Sequence, residues 1–281
     1  DPMTTRGMVT SPHYLATQSG VDILRKGGTA LDAAIAVAAV LAVVYPQMCG
    51  IGGDNFWLTH EAATGTLHGI NASGRSGEKA TREFFAQKGL SAIPLRGPLA
   101  ACTVPGVVSG WDAAHTLSRL WGSPLSLADL LQEAIALAAE GFAVTPSLAH
   151  WLHEDCKTDP HGYRQLQNQP GFASTFLPTG KPAHVGQRLR LPELAATLSL
   201  IAHEGPRSFY EGELAERMTR WLADNGGLLT ARDFAEHDAE TVTPLSVRYR
   251  GLEACNLPPN TQGVASLSIL NILEHMDVAS L

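Results

Sequence analysis

The longest apolar run of the chain, Ala30–Val44, predicts a helix buried on every face, because only Asp32 interrupts it. Thr29 and Asp32 stand three residues apart before the run, the spacing of a capping box that satisfies free backbone N–H groups. Tyr45-Pro46 ends the helix, since a residue before proline is pushed out of the α region. The run is shorter than the roughly 20 residues that cross a bilayer, which favours a core helix.

A glycine-rich turn, Gly50-Ile51-Gly52-Gly53, follows this helix and precedes a strand-like segment. Such glycines indicate positive φ or close backbone approach. A dinucleotide loop would follow a strand and open a helix, the reverse of the order here, so nucleotide binding is excluded. Residues 55–60 and 66–71 then predict a β-hairpin, followed by a loop of small residues over 72–77.

The rest of the chain is dominated by helical patterns. A first helix is predicted to start at Ser11-Pro12, as cap and first-turn proline, and to close at Gly27-Gly28. Further helices are predicted over 106–120, 126–140, 143–156, 193–203, 209–224 and 263–275, and strands over 246–249 and 252–256. Residues 157–187 are rich in Pro, Gly and Asn, which predicts a segment that leaves the core and runs over the surface. This order of elements indicates layered packing of helices and sheets, of the α+β or α/β class.

Composition narrows the function classes. The 281 residues carry 20 Lys and Arg against 27 Asp and Glu, a net charge of −7, which argues against nucleic acid or an anionic membrane as the main partner. Four cysteines without CxxC spacing indicate neither a zinc site nor a disulfide framework. No signal-peptide pattern opens the sequence, which leaves cytoplasmic and periplasmic locations both open.

Arg75 is the strongest candidate for ligand binding. It lies among small residues in a loop after a predicted strand, where a guanidinium suits bidentate binding of a carboxylate. An arginine that only faces solvent from a loop, without binding a ligand, would fit the same sequence pattern. The densest cluster of residues that can ligate a metal lies in one predicted helix: His150, His153, Glu154, Asp155 and Cys156. No second helix carries a matching motif, so ordinary packing of these side chains is favoured. Neither a metal nor a cofactor is expected.

The motifs of the chain resemble, in order, those of the large subunit of the gamma-glutamyltransferase family. They are Gly7-Met8-Val9, His13-Tyr14-Leu15-Ala16-Thr17, Lys26-Gly27-Gly28-Thr29-Ala30, Pro46-Gln47-Met48-Cys49-Gly50, Val104-Pro105-Gly106-Val107-Val108, Asn225-Gly226-Gly227, Tyr249-Arg250-Gly251, Leu257-Pro258-Pro259-Asn260-Thr261-Gln262-Gly263 and Leu270-Asn271-Ile272-Leu273-Glu274.

This resemblance implies an α+β fold, the four-layer αββα sandwich of N-terminal nucleophile hydrolases, with the apolar helix packed on the central sheets. Residues 1–281 would form the large-subunit region of a single domain that a small subunit completes. The family's nucleophile is the N-terminal threonine of that small subunit, which attacks a γ-glutamyl amide and passes the acyl group to water or an amino acid. The resemblance therefore implies that no catalytic residue lies in this chain, since Thr4-Thr5-Arg6 matches the family's lead-in instead.

One departure affects specificity. Better-known members of the family bind the substrate carboxylate through an arginine at the position of Ser73, and here Arg75 follows two residues later. The resemblance thus implies Arg75 and Ser73 as substrate-binding residues for a γ-glutamyl amide such as glutathione. Two alternatives stay open: an acylase of the cephalosporin or glutaryl type, and a non-catalytic binding or structural protein.

Overall fold

The computed structural model describes residues 3–153, 167–169, 171–177 and 179–280. Its first part begins with helices α1 (Tyr14–Arg25) and α2 (Ala30–Val44) and the strands β1 (Asn55–Glu61) and β2 (Thr66–Ala72). Then follow α3 (Arg82–Gln87), α4 (Val107–Leu120), α5 (Leu127–Glu140), β3 (Phe142–Ala143) and α6 (Pro146–His153).

The second part contains α7 (Phe172–Phe176), β4 (Arg188–Leu189), α8 (Pro192–Glu204), a 3-10 turn (Pro206–Phe209), α9 (Glu213–Asp224) and α10 (Ala231–Ala235). Strands β5 (Glu240–Val242), β6 (Leu245–Tyr249) and β7 (Leu252–Asn256) precede α11 (Gly263–Leu273) and a short 3-10 turn (Val278–Ser280). Within the described residues, no helix has the length and apolar character needed to cross a membrane.

Helix α2 forms as its sequence predicts. Thr29 Oγ1 accepts from the backbone N–H of Asp32, and the Asp32 carboxylate accepts from the backbone N–H of Thr29, so the capping box is confirmed. Most of its side chains are buried, although Ala30 and Ala34 are exposed. The main contacts of α2 are with the helices α1, α4 and α5 rather than with a sheet, so in this chain it lies within a helical layer.

The sheets in the described part of the chain are small. The predicted hairpin is confirmed, with β1 and β2 antiparallel and Asn55 opposite Ala72. Strand β5 adds to β2, giving a three-stranded sheet in the order β1-β2-β5, in which Glu240 lies opposite Asn71. Strand β6 pairs with β7, and β3 pairs with β4. The α+β character predicted from the sequence is thus present.

Several predicted boundaries were wrong. Helix α1 begins after His13, because Ser11 Oγ bonds Thr17 Oγ1 and the His13 carbonyl instead of capping a helix at residue 12. The helix predicted over 209–224 begins only at Glu213, since Gly212 adopts a φ of 83° before α9. The helix predicted over 143–156 begins only at Pro146, after β3, and its predicted end lies outside the described residues.

Candidate functional site

The loop after β2 is fixed by a backbone crossing. Arg75 accepts, through its carbonyl, from the N–H of Val104 at 2.9 Å, and Gly77 N–H donates to the Cys102 carbonyl at 2.9 Å. At Gly74 a Cβ atom would lie 1.6 Å from the Val104 carbonyl oxygen, so only glycine fits there. The small residues predicted for this loop therefore allow two chain segments to cross, and the crossing holds the backbone of Arg75 in place.

The glycine turn before β1 supports the same region. The Gly53 carbonyl accepts from the N–H groups of Gly106 and Val107, and Asp54 Oδ1 accepts from the N–H of Gly74 at 3.0 Å. The expectation of positive φ or close approach at Gly50 and Gly52 was wrong, since neither has positive φ and no atom would crowd a Cβ there. In this region the crowded glycines are instead Gly74 and Gly106, where a Cβ would lie 1.6 Å and 1.8 Å, respectively, from a backbone carbonyl oxygen.

Ser73 belongs to a ring of hydrogen bonds that closes one side of a cleft. Its hydroxyl donates to Asn71 Oδ1 at 2.8 Å and accepts from Asn260 Nδ2 at 2.8 Å, while Asn71 Nδ2 donates to Asn260 Oδ1 at 3.0 Å. Asn260 arrives from the segment between β7 and α11, almost two hundred residues along the chain. The hydroxyl of Ser73 thus has both a donor and an acceptor partner within the protein.

Arg75 extends into this cleft, whose volume is about 520 Å³, and pairs there with Glu240. The two side chains are 77% and 51% exposed, so both can be reached by a small molecule. Asp238 also lines the cleft, which therefore carries one guanidinium and two carboxylates. Sequence reasoning missed Asp238 and Glu240 because β5 has only three residues and forms by pairing with the distant β2.

A buried network lies beside the cleft, around the start of α4. Ser109 Oγ donates to the Gly106 carbonyl at 2.8 Å and therefore accepts from His237 Nε2 at 3.0 Å. The Tyr210 hydroxyl accepts from the N–H of Ser109 at 2.9 Å and donates to the Pro105 carbonyl at 2.8 Å. Together these bonds fix the residues that lead into β5 against the first turn of α4.

Burial controls the charge state of this network. It lowers the pKa of His237 below the ordinary 6.5, an effect opposed by the nearby Asp238 carboxylate and increased by Arg207. It also raises the pKa of Tyr210 to about 12 and, together with repulsion from Asp238, raises the pKa of Asp112. The imidazole and the phenol are consequently both neutral near pH 7.

The two histidines of the hairpin and the metal-ligating residues in the described part of the chain form no second site. His68 Nε2 lies 3.2 Å from Glu61 Oε2, in a strand pair that places His68 opposite Thr59 and not opposite His60. Among the described residues, no group of three or more His, Cys, Asp and Glu side chains could hold a metal. The predicted ligand-type cluster extends to Glu154, Asp155 and Cys156, which lie outside the described residues.

The protein therefore has an α+β architecture and holds one guanidinium, that of Arg75, in a small polar cleft. Comparison with solved structures places the fold: Helicobacter pylori gamma-glutamyltranspeptidase superposes with a TM-score of 0.90 at 29% identity, over 100% of this chain and 78% of that one. The structural neighbours include gamma-glutamyltranspeptidases and a cephalosporin acylase, which are N-terminal nucleophile hydrolases.

The chain belongs to the gamma-glutamyltranspeptidase family, whose sequence pattern matches residues 16–281. The resemblance found in the motifs is thereby confirmed. A glutathione hydrolase-like YwrD proenzyme of Bacillus subtilis is 46% identical over 97% of this chain and 50% of its own length. An oxamate amidohydrolase proenzyme of Klebsiella pneumoniae is 44% identical over 99% of this chain and 51% of its own. The chain thus spans about half the length of these curated relatives.

Proposed function

We propose that this chain is the large-subunit part of an amide-cleaving enzyme, which acts on γ-glutamyl amides of the glutathione type and uses a nucleophile outside the chain. The N-terminal threonine of a small subunit would attack the amide carbon, with its own α-amine as base, and release the amine. Water or an amino acid would then take the acyl group from the threonine. The proenzyme names of the relatives support a precursor that yields two chains.

The observation that carries this proposal is the fixed presentation of Arg75 in the cleft. A planar guanidinium can hold a carboxylate through two parallel hydrogen bonds, which orients the substrate as well as binding it. The crossing at Gly74 fixes the backbone of Arg75, while the side chain is 77% exposed. Ser73, at the position of the family's arginine, forms the wall of the cleft, and its neighbour two residues later supplies the guanidinium.

Exposed apolar surface supports a partner that completes a four-layer sandwich. Strand β1 is an edge of its sheet within the described residues, and it exposes Phe56 and Leu58 at 41% and 42%. Helix α11 exposes Ile269 and Ile272 at 58% and 62%. Edge strands and apolar faces of this kind are normally covered, because they would otherwise promote aggregation. The small subunit is the partner that we assign to them.

A second candidate within the family is an amidase or acylase whose acyl group lacks the α-amino group. The identity with an oxamate amidohydrolase proenzyme favours it, as does the position of Arg75 two residues beyond the family's arginine. A γ-glutamyl anilide carries both an α-ammonium and an α-carboxylate group, whereas a glutaryl anilide carries a single carboxylate. The relative turnover of these two substrates by the complete enzyme separates the two candidates.

The test is Arg75→Ala in the complete, processed enzyme, with steady-state kinetics on a γ-glutamyl anilide. Loss of hydrogen bonds to a charged group should cost about 1.5–3 kcal/mol of transition-state binding, which lowers kcat/KM roughly 10- to 150-fold. Arg25→Ala is the matched control, because Arg25 is 75% exposed and pairs with Asp22 on α1. Kinetics of Arg75→Ala equal to those of the control would refute the carboxylate-binding role.

A further inference from the structure

Glu240 is held in the cleft by its strand and by the segment before it. Its backbone pairs with Asn71 across β2 and β5. The preceding turn is held by Arg207, whose Nη1 donates to the His237 carbonyl at 3.0 Å and whose Nη2 donates to the Ala235 carbonyl at 2.9 Å. Glu240 therefore has a fixed backbone, and its carboxylate pairs with Arg75, whose own backbone is fixed by the crossing at Gly74.

This arrangement places an internal carboxylate on the guanidinium that would bind the substrate. An ion pair as exposed as this one is weak, so a substrate carboxylate can displace Glu240 from Arg75. The displaced Glu240 then shares the cleft with Asp238, two residues earlier along the chain and also in the lining. Two carboxylates without a cation repel each other and any further anion.

A ligand that brings its own cation removes this penalty. If its carboxylate takes Arg75 and its ammonium group takes Glu240, every charge in the exchange again has an opposite partner. A ligand with a carboxylate alone leaves Glu240 and Asp238 without compensation. The charges that line the cleft, one positive and two negative, thus match a zwitterion better than a simple anion.

We propose that Glu240 is a specificity-determining residue, which holds Arg75 in the empty cleft and binds the ammonium group of a zwitterionic acyl donor after the exchange. This proposal rests on the proposed function, because it requires Arg75 to bind the donor's carboxylate. It names the chemical feature that the cleft selects, an ammonium group beside the carboxylate, and it assigns that selection to a residue of this chain.

The test compares L-glutamate and glutarate as competitive inhibitors of the complete enzyme and of its Glu240→Gln variant. These two molecules differ only in the ammonium group. The variant removes the competitor for Arg75 and also the partner of the ammonium group, so the preference for L-glutamate over glutarate should fall about tenfold or more. General damage to the cleft would instead weaken both inhibitors in parallel, which would overturn the proposal.

Glu236→Gln is the matched control, since Glu236 is also an exposed glutamate that pairs with an arginine, Arg232. Its inhibitor preference should equal that of the unmodified enzyme. The Arg75→Ala variant separates the two levels of inference. Weaker binding of both inhibitors in Arg75→Ala, with an unchanged preference in Glu240→Gln, would overturn the role of Glu240 alone. Unchanged binding of both inhibitors in Arg75→Ala would overturn the proposed function as well.

Discussion

Helix α4 is capped by a residue from another part of the chain, which gives a sharp stability prediction. Gly106 at its N-cap has no side chain to accept from the first turn, and a Cβ there would lie 1.8 Å from the Ala72 carbonyl oxygen. No Ser, Thr or Asp could therefore replace it as a cap. The N–H of Ser109 donates instead to the Tyr210 hydroxyl, 101 residues later.

We expect Tyr210→Phe to destabilise the protein by about 2–4 kcal/mol. The change removes the partner of the Ser109 N–H, which is the helix cap, and of the Pro105 carbonyl, and each buried group left without this partner costs about 1–3 kcal/mol before relaxation. The aromatic ring itself stays packed, because Tyr210 is 1% exposed and contacts the rings of Phe209 and Phe234. Cavity formation adds little to this loss.

The assay is urea unfolding of the complete enzyme, followed by fluorescence and circular dichroism, whose transitions must coincide before a free energy is extracted. Tyr14→Phe is the control, because Tyr14 is 63% exposed and its hydroxyl should contribute less than about 0.5 kcal/mol. The raised pKa of Tyr210, about 12, keeps the hydroxyl protonated, so this stabilisation is complete below pH 10 and is lost as the pH rises toward 12. A loss in Tyr210→Phe no larger than in the control would refute the capping role.

Two further predictions concern buried polar groups. Asp32 is 0% exposed, and its carboxylate accepts from Thr29 N–H, Ser118 Oγ and Ser123 Oγ. Asp32→Asn turns one of these acceptor atoms into a donor, so it should lower the free energy of unfolding, measured by chemical denaturation, by about 3–5 kcal/mol. A loss below about 1 kcal/mol would contradict this prediction. The lowered pKa of His237 means that the unfolded chain binds a proton first, so stability should fall as the pH drops below about 6.5. In His237→Gln the loss of unfolding free energy between pH 7 and 5 should be smaller, and an unchanged loss would contradict the assignment.

The sequence predicted best those elements whose signals are local. The capping box predicted for α2 joins Thr29 and Asp32, three residues apart, and it forms; α5 covers the predicted range and begins with a second capping box, of Ser126 with Asp129. The hairpin likewise depends on two neighbouring strands. In each case the residues that decide the structure lie within a few positions of one another, so the pattern alone contains the physical cause.

The cleft was only half predictable for the same reason. Arg75 could be found from a loop of small residues and Ser73 from the family resemblance, but their partners Asn260 and Glu240 lie on segments that the sequence gives no reason to bring together. Strand β5 has three residues and no apolar alternation of its own, and only its pairing with β2 defines it. A short strand of this kind has no signature until its partner is known.

Under the proposed function, the two residues that align with the family's arginine region divide its roles. A hydroxyl at position 73 can complete a ring with Asn71 and Asn260, which a guanidinium of far greater volume could not do in the same space. The positive charge then comes from Arg75, beyond the crossing at Gly74, and this position brings it within reach of Glu240. The charge environment of the guanidinium is therefore specific to this cleft. If Arg75 binds the donor's carboxylate, as we propose, substrate preference has to be argued from Arg75 and Glu240 together and cannot be transferred from the family's motif.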